Sequence, residues 1–170
     1  GMSMFIWRNR SLGYLLAFLL LPAYVFAAPQ RIVSLTPHIT EMLFAIGAGK
    51  QVIATDHASD YPDEVNILPK VAKYQSLNSE SLLAVKPDLV IAWGSTQALM
   101  QQHIQALGIP MLLLKSQHLD DLPVEVPLLG DKTGHREQAN NLASQIETKF
   151  ATYRQQSQQR PKIKAFYQLW

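Results

Sequence analysis

The segment that most constrains the fold runs Arg31-Ile32-Val33-Ser34-Leu35-Thr36-Pro37-His38-Ile39-Thr40-Glu41. Arg31 to Leu35 reads as a short buried strand. Thr36-Pro37 then starts a helix, because a hydroxyl can cap free amides and proline suits the first turn. The helix runs to about Ile46, where Gly47 and Gly49 end it, and Val52 to Thr55 supplies a second short apolar run. Strand, helix and strand at this spacing predict a parallel sheet covered by helices.

The alternation continues past the polar turn Asp56-His57-Ala58-Ser59-Asp60-Tyr61-Pro62. Asn78 can cap a short helix through Leu82, Leu83 and Val85, which Pro87 closes, and Leu89 to Trp93 follows as a strand apolar on both faces. Leu99, Met100, Ile104 and Leu107 recur at helical spacing before Gly108, and Met111 to Leu114 reads as another buried strand. The fold class expected is therefore α/β, with a Rossmann-like parallel sheet. Near Thr133 a different pattern begins. Ala139, Leu142, Ala143, Ile146, Phe150 and Tyr153 mark one face of a helix reaching about Gln158, some 25 residues or roughly 37 Å. After a polar stretch, Lys162 to Trp170 alternates into Ile163, Ala165, Phe166, Tyr167 and Leu169 and reads as a strand with no successor. Such an edge calls either for more chain or for pairing with a second copy through the terminal strand.

Ahead of this, Arg8 and Arg10, the apolar run Leu12 to Leu21 and the small residues Ala27 and Ala28 have the order of a secretory signal peptide cleaved after Ala27. The alternative is an uncleaved anchor, since Leu12 to Ala28 approaches the roughly 18 residues of a spanning helix; Pro22 and the small residues favour cleavage. Gly1 before Met2 adds nothing to this reading. The expected organisation is Gly1 plus signal peptide over 1–27, an α/β lobe over 28–132, a long helix over 133–160 and a strand over 161–170. The chain has no cysteine, so disulfides contribute nothing, and its net charge of +2 includes the two leader arginines. That near-neutral balance gives no basic patch for nucleic acid.

Four stretches in order carry a resemblance: Ile32-Val33-Ser34-Leu35-Thr36-Pro37 with Thr40-Glu41, Ser59-Asp60-Tyr61-Pro62, Leu77-Asn78-Ser79-Glu80, and Lys86-Pro87-Asp88-Leu89-Val90-Ile91-Ala92-Trp93. Together they make Arg31 to Trp170 similar to the first lobe of the periplasmic receptors of ABC importers for cobalamin, ferric siderophores and haem, the cobalamin branch above all. The resemblance implies a two-lobed receptor whose long helix joins the lobes with little bending and whose ligand lies between them. Lys162 to Trp170 then begins a second lobe whose remainder is absent. It further implies export to the periplasm and no chemical step.

The ligand side of the lobe is expected in the loops after the strands. Tyr74 and Trp93 can stack on a corrin or porphyrin ring; the competing expectation is that both pack on their own lobe. Pro37 and His38 sit at a helix start where free amides can meet ligand amides or carboxylates, or form a solvated turn. His57 occupies the turn where the cobalamin receptors carry an aromatic residue; it is an exposed loop histidine or a ligand to haem iron or cobalt. His103, His118 and His135 form no zinc motif, so no resident metal is expected. Glu80 follows the cap of a short helix, where a carboxylate is favoured without any partner; the resemblance matches it to the glutamate by which the first lobe docks on permease arginines. There is no nucleophile elbow, no Gly-Lys-Ser phosphate loop, and Asp120-Asp121 reads as a solvated turn, so no enzyme is expected. The ligand expected is cobalamin, with haem or a ferric siderophore next; a sensor of such chelates without transport is the third possibility.

Overall fold

The structure is a computed structural model that describes residues 27–96, 98–115 and 119–158. The predicted leader and the strand expected over 161–170 lie outside the described residues, as does the end of the helix expected over 133–160.

The chain alternates as its apolar runs require. The elements are β1 (Ile32–Ser34), α1 (Pro37–Ala45), β2 (Val52–Asp56), β3 (Lys70–Lys73), β4 (Ser76–Leu77), α2 (Ser79–Ala84), β5 (Leu89–Trp93), α3 (Ala98–Ala106), β6 (Met111–Leu114), α4 (Leu122–Thr133) and α5 (Arg136–Ser157). The six strands form one sheet in the order β4-β3-β2-β1-β5-β6. β1 pairs in parallel with β2 and β5, β2 with β3, and β5 with β6; only β4 runs antiparallel, as the return strand of a hairpin with β3.

Strand residues alternate between two cores, one on each face of the sheet. Ile32, Leu89, Ile91 and Leu114 meet Ile39 and Leu43 of α1, Ile46 just after it, Val126 and Leu129 of α4 and Ala139 of α5. On the opposite face Val33, Ala54, Val71, Val90 and Ala92 meet Leu82 of α2 and Met100 and Ile104 of α3. Helices on both faces are what a sheet with buried apolar strands needs.

Local chemistry sets the helix ends. Thr36 caps α1, its hydroxyl accepting the Ile39 N–H at 3.3 Å, with Pro37 in the first helical position. Asn78 caps α2, its side-chain oxygen accepting the Ser81 N–H at 3.0 Å. Both caps are those expected from sequence.

The helix expected from Thr133 starts three residues later, at Arg136, and a further helix, α4, precedes it. Thr133 closes α4, Gly134 at φ 82 takes the left-handed conformation that suits glycine, and α5 starts at Arg136. α4 and α5 approach so closely that a Cβ on Gly130 would collide with the Ala139 Cβ. The predicted face of α5 holds: Ala139 and Ala143 are buried, and Leu142 and Ile146 pack against the core. Asp120, expected in a solvated turn, is exposed and meets Arg154 near the far end of α5 at 3.6 Å.

The joint is tied to the sheet by a buried amide. Gln51, just before β2, donates from Nε2 to the Pro29 carbonyl at 2.6 Å and to the Thr133 carbonyl at 3.0 Å. Its Oε1 lies 2.5 Å from His135 Nε2. Since Oε1 can only accept, His135 donates from Nε2, which fixes the position of its proton.

Candidate ligand rim

Five strands point the same way, so the loops after them share one edge. The strand order reverses at β1: the chain steps to β2 and β3 on one side, then crosses to β5 and β6 on the other. In open α/β sheets the crevice outside the carboxyl ends of the strands at such a reversal is where ligands bind.

The residues singled out from sequence fall along this edge. Pro37 and His38 follow β1, His57 follows β2, Tyr74 follows β3, and Trp93 ends β5. In sheet order they read Tyr74, His57, Pro37-His38, Trp93, a row about 15 Å long at the ~4.8 Å spacing of neighbouring strands. Pro37, His38, His57 and Tyr74 are exposed and Trp93 is half-buried.

Two of these side chains meet. The His38 and Trp93 ring centroids are 6.2 Å apart with planes inclined at 56°, so the helix start after β1 and the end of β5 form one aromatic corner at the reversal. His38 Nδ1 also lies 3.8 Å from Glu41 Oε2, one turn along α1. Trp93 is anchored as well, because it is half-buried and packs against the core cluster that includes α1, as the expectation of packing on its own lobe required.

Tyr74 does not pack on its own lobe. It is 92% exposed at the β3–β4 turn with φ 54. A left-handed tyrosine with its ring in solvent costs about 1 kcal/mol or more without any packing return inside the lobe. His57 is held by its backbone, the N–H donating to the Ala72 carbonyl at 2.7 Å, which leaves the ring exposed.

Glu80 is exposed in the first turn of α2 with no ion pair formed among the described residues. Beside it Ser79 Oγ lies 3.1 Å from His103 Nε2 on α3. An open concavity of about 530 Å³ between Phe44, Val52, Ile67 and Leu68 lies where β2 begins, at the other end of the strands, and includes none of the candidates. Among the described residues no cluster of three or more His, Cys, Asp or Glu could hold a metal, and no helix is long and apolar enough to cross a membrane.

Comparison with known proteins settles the class of this architecture, since the family described as periplasmic binding protein matches residues 32–170. The chain belongs to the periplasmic binding protein family. A vitamin B12-binding protein of Pectobacterium carotovorum is 41% identical over 138 residues, covering 80% of this chain and 50% of the relative. Another from Pectobacterium atrosepticum is 42% identical over 131 residues, 76% of this chain and 47% of the relative. Among solved structures, the periplasmic vitamin B12-binding protein BtuF of Vibrio cholerae superposes with a TM-score of 0.70 at 30% identity, over 76% of this chain and 51% of that one. The periplasmic heme-binding protein RhuT of Roseiflexus gives 0.68 at 29% identity, over 78% and 51%. The chain spans about half the length of the curated relatives it matches. Its family is one of binding proteins.

Proposed function

We propose that this chain is the first, ligand-capturing lobe of a periplasmic receptor that takes up cobalamin and delivers it to the permease of an ABC importer. The observation that carries this reading is the row of solvent-facing rings along one sheet edge, with the His38–Trp93 corner at the strand-order reversal. A broad planar macrocycle laid along that row would stack on Tyr74 and Trp93. Its peripheral amides would reach the amide end of α1 at Pro37 and His38. The vitamin B12-binding relatives support cobalamin as the ligand.

In this reading residues 28–132 are the ligand lobe, and the helix within 133–160 joins it to a second lobe that begins at 161–170. α5, with 22 residues, is about 33 Å long and still meets the lobe near its far end, where Arg154 lies 3.6 Å from Asp120. Glu80 supplies the docking contact: an exposed carboxylate at a helix start is free to meet a permease arginine in a charge-assisted pair. The N-terminal segment directs the protein to the periplasm.

Haem or another ferric chelate is the second reading, favoured by His57, an exposed imidazole on the rim that can offer nitrogen to iron. Titration by calorimetry and absorbance with cyanocobalamin, then with haemin, separates them. Saturable binding of cyanocobalamin with weaker haemin binding supports the first reading. A haemin spectrum showing nitrogen ligation that is lost in His57→Ala supports the second, and no saturation with either contradicts both.

A further inference from the structure

The rim loops are joined underneath by a line of buried polar groups that ligand contact alone does not explain. Ser34 at the end of β1, Thr40 on α1, Thr55 and Asp56 at the end of β2, and Ser59 in the following turn are all under 9% exposed. The Thr40 hydroxyl lies 2.8 Å from both the Ser34 and the Ser59 hydroxyls. Ser59 Oγ donates to Asp56 Oδ1 at 2.5 Å, and Asp56 Oδ2 accepts the Ala58 N–H at 3.1 Å. From the other side the Lys70 ammonium spends its three protons on neutral oxygens: Thr55 Oγ1 at 2.8 Å, the Ser59 carbonyl at 2.7 Å and the Val65 carbonyl at 3.2 Å.

Ser59 is thus gripped twice, by hydroxyl and by carbonyl, two residues beyond His57. Thr40 sits two residues beyond His38. One hydroxyl contact therefore links the turn that carries His57 to the helix that carries His38. Stability is a poor reason for such a line, because buried polar groups give little net gain over an apolar core of the same shape. Its geometric effect is to tie the turn after β2 to α1 through side chains, in addition to the backbone bond from His57 to Ala72.

We infer that Thr40, through Ser59 and Asp56, is a positioning residue that holds the His57 turn in place for ligand. The turn is prearranged before ligand arrives, which lowers the ordering cost of binding. The inference rests on the rim being the ligand site, and its test reads the turn both with and without ligand.

Thr40→Val keeps the side-chain shape and removes the hydroxyl; Thr40→Ser keeps the hydroxyl. Amide hydrogen exchange on the ligand-free chain should show Ala58, Ser59 and Asp60 exchanging about tenfold faster in Thr40→Val, with β1 and β5 unchanged and Thr40→Ser near the parent. Cyanocobalamin affinity should fall about tenfold in Thr40→Val and recover in Thr40→Ser. In a His57→Ala background Thr40→Val should cost little more, since both act on the same turn. Unaltered exchange in the turn overturns the inference, as does an affinity loss that simply adds to that of His57→Ala. If the parent chain binds neither cyanocobalamin nor haemin, the ligand reading fails while the exchange result still decides whether Thr40 holds the turn.

Discussion

His38 and Trp93 face each other across the point where the strand order reverses, with ring centroids 6.2 Å apart. They are far apart in sequence and belong to different βα units. They meet because β1 and β5 are paired in parallel, with Ile32 opposite Leu89 and Ser34 opposite Ile91, so that β5 runs two residues past the end of β1 and carries Trp93 up beside the start of α1. The aromatic corner is therefore a product of register, and the consequences below follow from where it stands.

Removing the Trp93 ring should separate binding from folding. Its ring is half-buried against the core, so Trp93→Ala should cost less than the roughly 3–5 kcal/mol of a fully buried aromatic. The variant should stay folded by circular dichroism and lose about tenfold or more in cyanocobalamin affinity. A variant that unfolds, or one that binds as the parent does, goes against the stacking role.

Tyr74 should give opposite signs for stability and binding. At φ 54 and almost fully exposed, it gains from replacement by glycine about what a left-handed tyrosine costs, on the order of 1 kcal/mol. Thermal melting of Tyr74→Gly should therefore match or exceed the parent while calorimetry shows weaker ligand binding. Lowered melting with intact binding would place the ring's role in the fold.

Gln51 should matter to stability alone. Gln51→Leu leaves the Pro29 and Thr133 carbonyls and His135 Nε2 without their partner at the α4–α5 joint. A loss of about 2 kcal/mol in urea unfolding is expected, with ligand affinity of the folded fraction retained.

Charge reversal at Glu80 should spare both fold and ligand. Glu80→Lys places a cation at the amide end of an exposed helix, a small effect that salt screens. Ligand affinity should equal the parent's, while pull-down by the permease of the same importer in detergent should drop. Equal pull-down would remove Glu80 from the docking surface.

Strands β1, β2, β5 and β6 could be read from sequence because each is a short apolar run closed by a strong helix or turn signal. The Thr36 and Asn78 caps could be read for the same reason. β3 and β4 were hidden: Lys70 and Lys73 bracket only two apolar residues, and β4 has just Ser76 and Leu77. α4 was hidden by Pro123 and Pro127, which argue against a helix interior, although Val126, Leu129 and Thr133 kept the spacing of a buried face. Without α4, the start of the long helix is read at Thr133, three residues before Arg136. The rim candidates were found one loop at a time. Their alignment depended on strand order and register, and the Thr40–Ser59–Asp56 line under them depended on contacts between separate elements that no local pattern announces.

The most direct test of the account is a calorimetric titration of cyanocobalamin into the parent chain and into the chain carrying Tyr74→Ala and Trp93→Ala together. Saturable binding in the parent that is lost in the folded double variant is the predicted result. Equal heats and affinity in the two chains would contradict the rim as the ligand site.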